Sequence, residues 1–173
     1  PKAAATQQLQ QFLTEAKFRR NDKVAAYFTR AFLDKVAIDS LRRATQAAKS
    51  NGDKLIKDLE KKGTSKHWDR DQKGKYVQSH LNATEWRALE LSIGVEEKKL
   101  TPREAAALFY ADWAVEVFGN VNDVWLESTS VSSQGCFEGY VTAADHDGTM
   151  RRYVVHMHHE VGEWLVEFVK QMR

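Results

Sequence analysis

The chain has 173 residues, is 42% hydrophobic and 29% charged, and carries a formal net charge of +2. Those values fit a folded globular protein and exclude an intrinsically disordered one. A single cysteine excludes an internal disulfide, and no apolar run approaches the roughly 20 residues of a membrane-spanning helix. The first residues, PKAAATQQ, lack the apolar core of a secretion signal, so the expected location is cytoplasmic and no membrane partner is expected.

The small net charge conceals a division. Residues 1–67 hold 15 Lys and Arg against 7 Asp and Glu, a net +8; residues 68–173 hold 11 against 17, a net −6. Such asymmetry suits either an anionic partner or the packing of one half on the other.

In chain order, Leu9, Phe12, Leu13 and Ala16 recur at i, i+3, i+4 and i+7, which predicts a helix over 6–20. Asn21-Asp22 can cap a second helix reaching about Lys49, with Val24, Tyr27, Phe28, Phe32, Ile38 and Leu41 on its apolar side. Ser50-Asn51-Gly52 reads as a breaker, and Asp53 as the cap of a short helix that ends at Lys61-Lys62-Gly63. Residues 64–75 are polar and predict a loop or linker. Asn82 and Glu85 form a capping signature for a helix carrying Trp86, Leu89 and Ile93.

The clearest element is TPREAAALFYADWAVEVFG, residues 101–119. Thr101 can N-cap it, Pro102 suits the first helical position and Glu104 can close a capping box. Ala106, Phe109, Tyr110, Trp113 and Val117 fall at helical spacing, and Ala105, Leu108, Val115 and Phe118 widen the apolar surface, so this is expected to be the central core helix, covered on most sides. Beyond Asn120 the period falls to two, and strands are predicted at about 122–132, 136–144, 150–160 and 163–170. Asp145-His146-Asp147-Gly148 and Val161-Gly162 are the expected hairpin turns. The last segment also fits a helical face through Trp164, Leu165 and Phe168, but the hairpin rhythm favours a strand.

The expected fold is α+β: N-terminal helices, then a long core helix and a C-terminal four-stranded antiparallel meander. The expectation is one domain over 1–173, with a basic helical part at 1–63, a linker at 64–75 and an acidic α+β part at 76–173. This order of a long helix feeding an antiparallel sheet resembles the topology of nuclear-transport-factor-2-like and cystatin-like domains. The resemblance rests on topology alone and implies no site residues.

Four constellations could carry chemistry. His156, His158 and Glu160 share one face of a strand, and two imidazoles with a carboxylate suit a zinc-like ion; alternatively they form a polar outer face, with Tyr153, Val155, Met157 and Val161 toward the core. Cys136 is a candidate nucleophile, although GCFEG reads as a strand beginning after a turn. Asp112 and Glu116 lie one helical turn apart, as an acid–base pair or as a solvated stripe. Arg42, Arg43, Lys54, Lys57, Lys61 and Lys62 concentrate positive charge on the early helices, and Lys54, Lys57 and Lys61 share one helix face.

No polar cluster has the variety that a catalytic site needs, so the expectation leans away from an enzyme and requires no cofactor. The leading expectation is a non-catalytic interaction or ligand-binding domain, an accessory or adaptor protein that self-associates through its sheet as a homodimer. The alternative is binding of nucleic acid or another polyanion by the basic helices. A further alternative is a small-molecule enzyme with a site on the sheet that uses His156, His158, Asp112 or Glu116.

Overall fold

The computed structural model describes residues 2–64 and 66–173, so Pro1 and Ser65, at the chain start and in the expected linker, lie outside the described residues. The fold is α+β, with helices followed by a four-stranded antiparallel sheet. The chain forms two compact units: Pro1–Ala37 with Ala106–Arg173, and Ile38–Ala105.

In the first unit, α1 (Lys2–Lys17) buries Ala5, Leu9, Phe12, Leu13 and Ala16, the face that the periodicity specifies. The expected helix from Asn21 to Lys49 is broken. A short α2 (Asn21–Ala25) ends, and residues 27–29 run extended beside the last strand. Thr29 donates its N–H to the Val166 carbonyl, and Val166 donates back to the Tyr27 carbonyl at 2.6 Å. An edge strand with free backbone groups is a better partner for this stretch than another helical turn. Thr29 then caps α3 (Arg30–Phe32), which passes through a π-helical turn at Leu33–Ala37.

The strands are β1 (Asp123–Val131), β2 (Phe137–Ala144), β3 (Met150–Glu160) and β4 (Glu163–Gln171), ordered β1-β2-β3-β4 in one sheet. The ambiguous last segment is therefore a strand. Both edge strands bulge, β1 between Leu126 and Ser128 and β4 beside Met157. Each bulge puts residues two apart on opposite faces. Leu126 pairs with the core residue Val141 while Ser128 pairs with Tyr140; Val166 pairs with Met157 while Phe168 pairs with His156. The β2–β3 turn closes as expected, with Gly148 at φ 87° donating its N–H to the Asp145 carbonyl.

The β3–β4 turn is the expected Val161-Gly162, and there Val161 is 86% exposed with φ 50°, so it does not join Tyr153, Val155 and Met157 toward the core. A two-residue hairpin needs left-handed backbone there, and a β-branched residue is strained in it. Val161→Asn is expected to stabilise the protein by about 1 kcal/mol, read as a higher denaturation midpoint, because asparagine tolerates this conformation and no burial is lost.

The helix α7 (Pro102–Gly119) starts with the expected capping box: Glu104 donates its N–H to Thr101 Oγ1, and Thr101 donates to Glu104 Oε1, both at 3.1 Å. Its cover is uneven: Ala106 is buried and Tyr110 packs edge-on against Phe32 at 4.8 Å, but the aromatic side is not packed throughout. Ala107, Ala111, Ala114 and Phe118 are buried at i, i+4, i+7 and i+11, whereas Phe109 is half-buried and Trp113 is 41% exposed. Alanines let neighbouring backbones approach, and Gly119 shows how close they come. A Cβ there would strike the Ala16 carbonyl oxygen of α1.

Helices cover one sheet face. Leu9 of α1 sits over Gly139, where an added Cβ would meet a terminal methyl of Leu9, and Phe118 of α7 packs edge-on against Tyr153 at 5.3 Å. Phe12 joins the layers, with ring contacts to Tyr27, Phe28 and Phe118.

In the second unit, α4 (Ile38–Lys62) runs unbroken through Ser50-Asn51-Gly52. Gly52 is buried with Val77 nearby, 3.2 Å from where its Cβ would stand, so this glycine makes room for a neighbouring helix rather than ending its own. That neighbour, α5 (Arg70–His80), replaces much of the expected linker. Asp69 and Gln72 close a capping box that starts it. The helix α6 (Ala83–Glu96) begins at the expected Asn82–Glu85 box, and Thr45 Oγ1 of α4 donates to the α6 carbonyl of Ala88 at 3.3 Å.

Candidate functional site

The sheet's second face is open. Three rows of paired residues cross it: Trp125, Thr142, Arg152 and Met172; Ser128, Tyr140, Val154 and Lys170; Ser130, Glu138, His156 and Phe168. Ser128, Ser130, Arg152, Lys170, Met172 and Phe168 are exposed, and Trp125, Tyr140 and His156 are half-buried. Phe168 is 39% and Met172 42% exposed, with Met150 beside them at 62%. This is more apolar surface than a simply solvated sheet face needs.

The third row is a bonded cluster. Tyr140 donates its hydroxyl to Glu138 Oε2 at 2.9 Å; that bond and the carboxylate's charge raise the phenol above its usual range. Glu138 Oε1 lies 3.5 Å from His156 Nδ1. The His156 ring stacks on Phe168 at 3.9 Å between centroids, with 22° between planes. The β4 bulge brings this about by placing Phe168 above His156. Sequence periodicity could not reveal it, since regular alternation gives Val166 and Phe168 the same face.

The expected metal set does not assemble. His156 is held by Glu138 and Phe168, and His158 is exposed opposite Leu165. Glu160 accepts the backbone N–H of Arg30 at 3.2 Å, tying β3 to the start of α3. Among the described residues no group of three or more His, Cys, Asp or Glu side chains is arranged to hold a metal ion.

The structure does not bring together the four residues named for a small-molecule enzyme on the sheet. His156 and His158 lie on the open face, whereas Asp112 and Glu116 belong to α7, which packs on the covered face. Asp112 Oδ1 accepts from Asn21 Nδ2 at 2.7 Å, and Glu116 Oε1 accepts from Asn120 Nδ2 at 2.7 Å. Cys136 closes the β1–β2 turn, donating its N–H to Ser132 Oγ and accepting the Ser132 N–H.

All six basic candidates lie on α4. Leu41, Thr45, Ala48, Gly52 and Leu59 form its buried seam. Helical spacing puts Arg43, Lys54, Lys57 and Lys61 on the side away from that seam, over about 27 Å. Arg42 and Lys62 fall nearer the flanks. Arg42 and Arg43 both pair with Asp39, the latter through Nε at 3.2 Å. Lys54, Lys57 and Lys61 are exposed and have no carboxylate within 4.0 Å among the described residues.

No protein-family model, characterised protein or solved structure matches the chain. Among the described residues no helix is long and apolar enough to cross a membrane.

Proposed function

We propose that this chain is a non-catalytic interaction domain that binds a second copy of itself through the open face of its sheet. The supporting observation is the row ending in Phe168. An exposed aromatic ring is stacked on a histidine at one end of a face that also carries Trp125, Tyr140, Met150 and Met172. Rigid aromatic anchors ringed by polar groups are the usual energetic centres of interfaces.

Charge favours a second copy as the occupant. Glu127, at the β1 bulge, accepts from Thr142 and lies 4.0 Å from Arg152 of its own copy, while Glu138 lies on β2 and Lys170 on β4. A two-fold axis along the strands lays β1–β2 of one copy over β3–β4 of the other and keeps each row over itself, so Glu127 of each copy comes near Lys170 of the other and Glu138 comes over His156. The bulged edge strands disfavour edge-to-edge growth, which leaves the face as the contact. A lone free thiol at Cys136 suits a cytoplasmic setting for this domain.

The protein is expected to sediment as a dimer that dissociates on dilution. Phe168→Asp should weaken the dimer by at least about thirtyfold, the effect of losing one interface hot spot. A wild-type monomer at every concentration rejects the proposal.

The strip on α4 favours a second function, binding of an extended polyanion by Arg43, Lys54, Lys57 and Lys61. Retention on heparin at low salt, released steeply as salt rises, is the expected behaviour. Lys57→Glu with Lys61→Glu should remove that retention, and a chain that flows through at low ionic strength lacks this activity.

A further inference from the structure

A pocket of about 340 Å³ opens where the end of α7 meets the sheet, lined by Glu116 and Asn120 from the helix side and by Asp145, Arg151, Tyr153 and Gln171 from the sheet side. Its volume falls within the range of small-molecule sites. It belongs to the first unit alone and lies apart from the open face.

Tyr153 carries the inference. The residue is 5% exposed, yet its hydroxyl has no hydrogen-bond partner among the described residues. A hydroxyl that faces a pocket with no protein partner is met there by water or by something bound. Burial raises the phenol's pKa, and the charges of Arg151 and Asp145 act on it as well, so it stays a neutral donor beside them.

The walls carry both signs of charge, with Glu116 on the helix side and Asp145 beside Arg151 on the sheet side. On the helix side, Arg19 Nη2 donates to Asn120 Oδ1 at 3.1 Å and Asn120 Nδ2 donates to Glu116 Oε1, so Asn120 fixes a carboxylate at the rim. On the sheet side, Arg151 Nη1 donates to Asp145 Oδ2 at 2.6 Å, which orients the guanidinium and leaves its other N–H donors available. Val117 and Ala143 supply apolar wall between the two.

From this arrangement we infer that the pocket binds a small zwitterion of the amino-acid class. Its ammonium group is placed against Glu116, and its carboxylate takes hydrogen bonds from the Tyr153 hydroxyl and the Arg151 guanidinium. A pocket that holds both signs of charge matches a ligand that carries both better than a simple anion or cation.

The test is isothermal titration of the full chain with the twenty free L-amino acids, one at a time. At least one should bind saturably with a single site. Tyr153→Phe, Arg151→Gln and Glu116→Gln should each weaken it about tenfold or more. Tyr153→Phe without ligand should melt no lower than the parent, because the lost hydroxyl had no partner; that outcome separates a binding role from a structural one. Binding should persist in Phe168→Asp, since the open face takes no part. If no amino acid binds, or if binding survives Tyr153→Phe and Arg151→Gln unchanged, the inference is overturned.

Discussion

Phe12→Ala should destabilise the sheet-bearing unit by about 3–5 kcal/mol, the range for deleting a fully buried phenylalanine. Phe12 has no exposed surface, and its ring meets Tyr27 at 5.6 Å and Phe28 and Phe118 at 6.2 Å, all edge-on. It thus joins α1, the extended stretch at 27–29 and the end of α7. A loss of this size is a large fraction of the 5–15 kcal/mol that keeps a typical domain folded. Hydrogen exchange at the β2 and β3 amides reads this unit alone, and protection there should fall by about a hundredfold or more. Trp113→Ala removes a bigger side chain, but one that is 41% exposed, and should cost clearly less. Equal losses from the two substitutions would mean that the aromatic side of α7 is packed after all.

Gly119→Ala adds one methyl and should still cost about 1–3 kcal/mol, at the upper end of that range for an overpacked site. The new Cβ would meet the backbone carbonyl of Ala16, and a backbone atom within a helix cannot rotate away. Gly139→Ala is the control. There the nearest obstacle is a terminal methyl of Leu9, which can change rotamer, so that substitution should be milder. Denaturation midpoints of the two variants measured together decide the order. If Gly119→Ala is the milder, α1 and α7 are not in contact at this crossing.

Much of the fold was legible because its signals are local. The capping boxes at Thr101–Glu104 and Asn82–Glu85, the Asp145–Gly148 turn and the period-two strands each depend on residues a few positions apart. Most of the differences share a cause, which is tertiary contact. Gly52 reads as a breaker until Val77 is placed against it. Residues 27–29 read as helix until the backbone of Val166 offers them hydrogen bonds. The helix α7 reads as covered on most sides, whereas its crossing with α1 at Gly119 rewards small residues. A capping box at Asp69–Gln72 was present in the sequence and marks the start of α5, which was missed.

The candidate site was legible only in part. The charge of α4 and the shared face of His156 and His158 follow from spacing. The contact of His156 with Phe168 depends on a bulge, and the pocket at Tyr153 draws its walls from residues 116–171. Neither arrangement has a sequence period. Glu160 illustrates the limit: alternation groups it with the histidines, but the backbone N–H of Arg30 claims it.

The two-fold pairing of open faces is tested by reversing its charges. One variant carries Glu127→Lys and Glu138→Lys, and the other Arg152→Glu and Lys170→Glu, so that each open face bears charge of one sign. Each variant alone should sediment as a monomer, and an equimolar mixture should form a one-to-one heterodimer, because the two open faces then carry opposite charge. If either variant dimerises alone as the parent does, or if the mixture stays monomeric, the open face of the sheet is not where two copies meet.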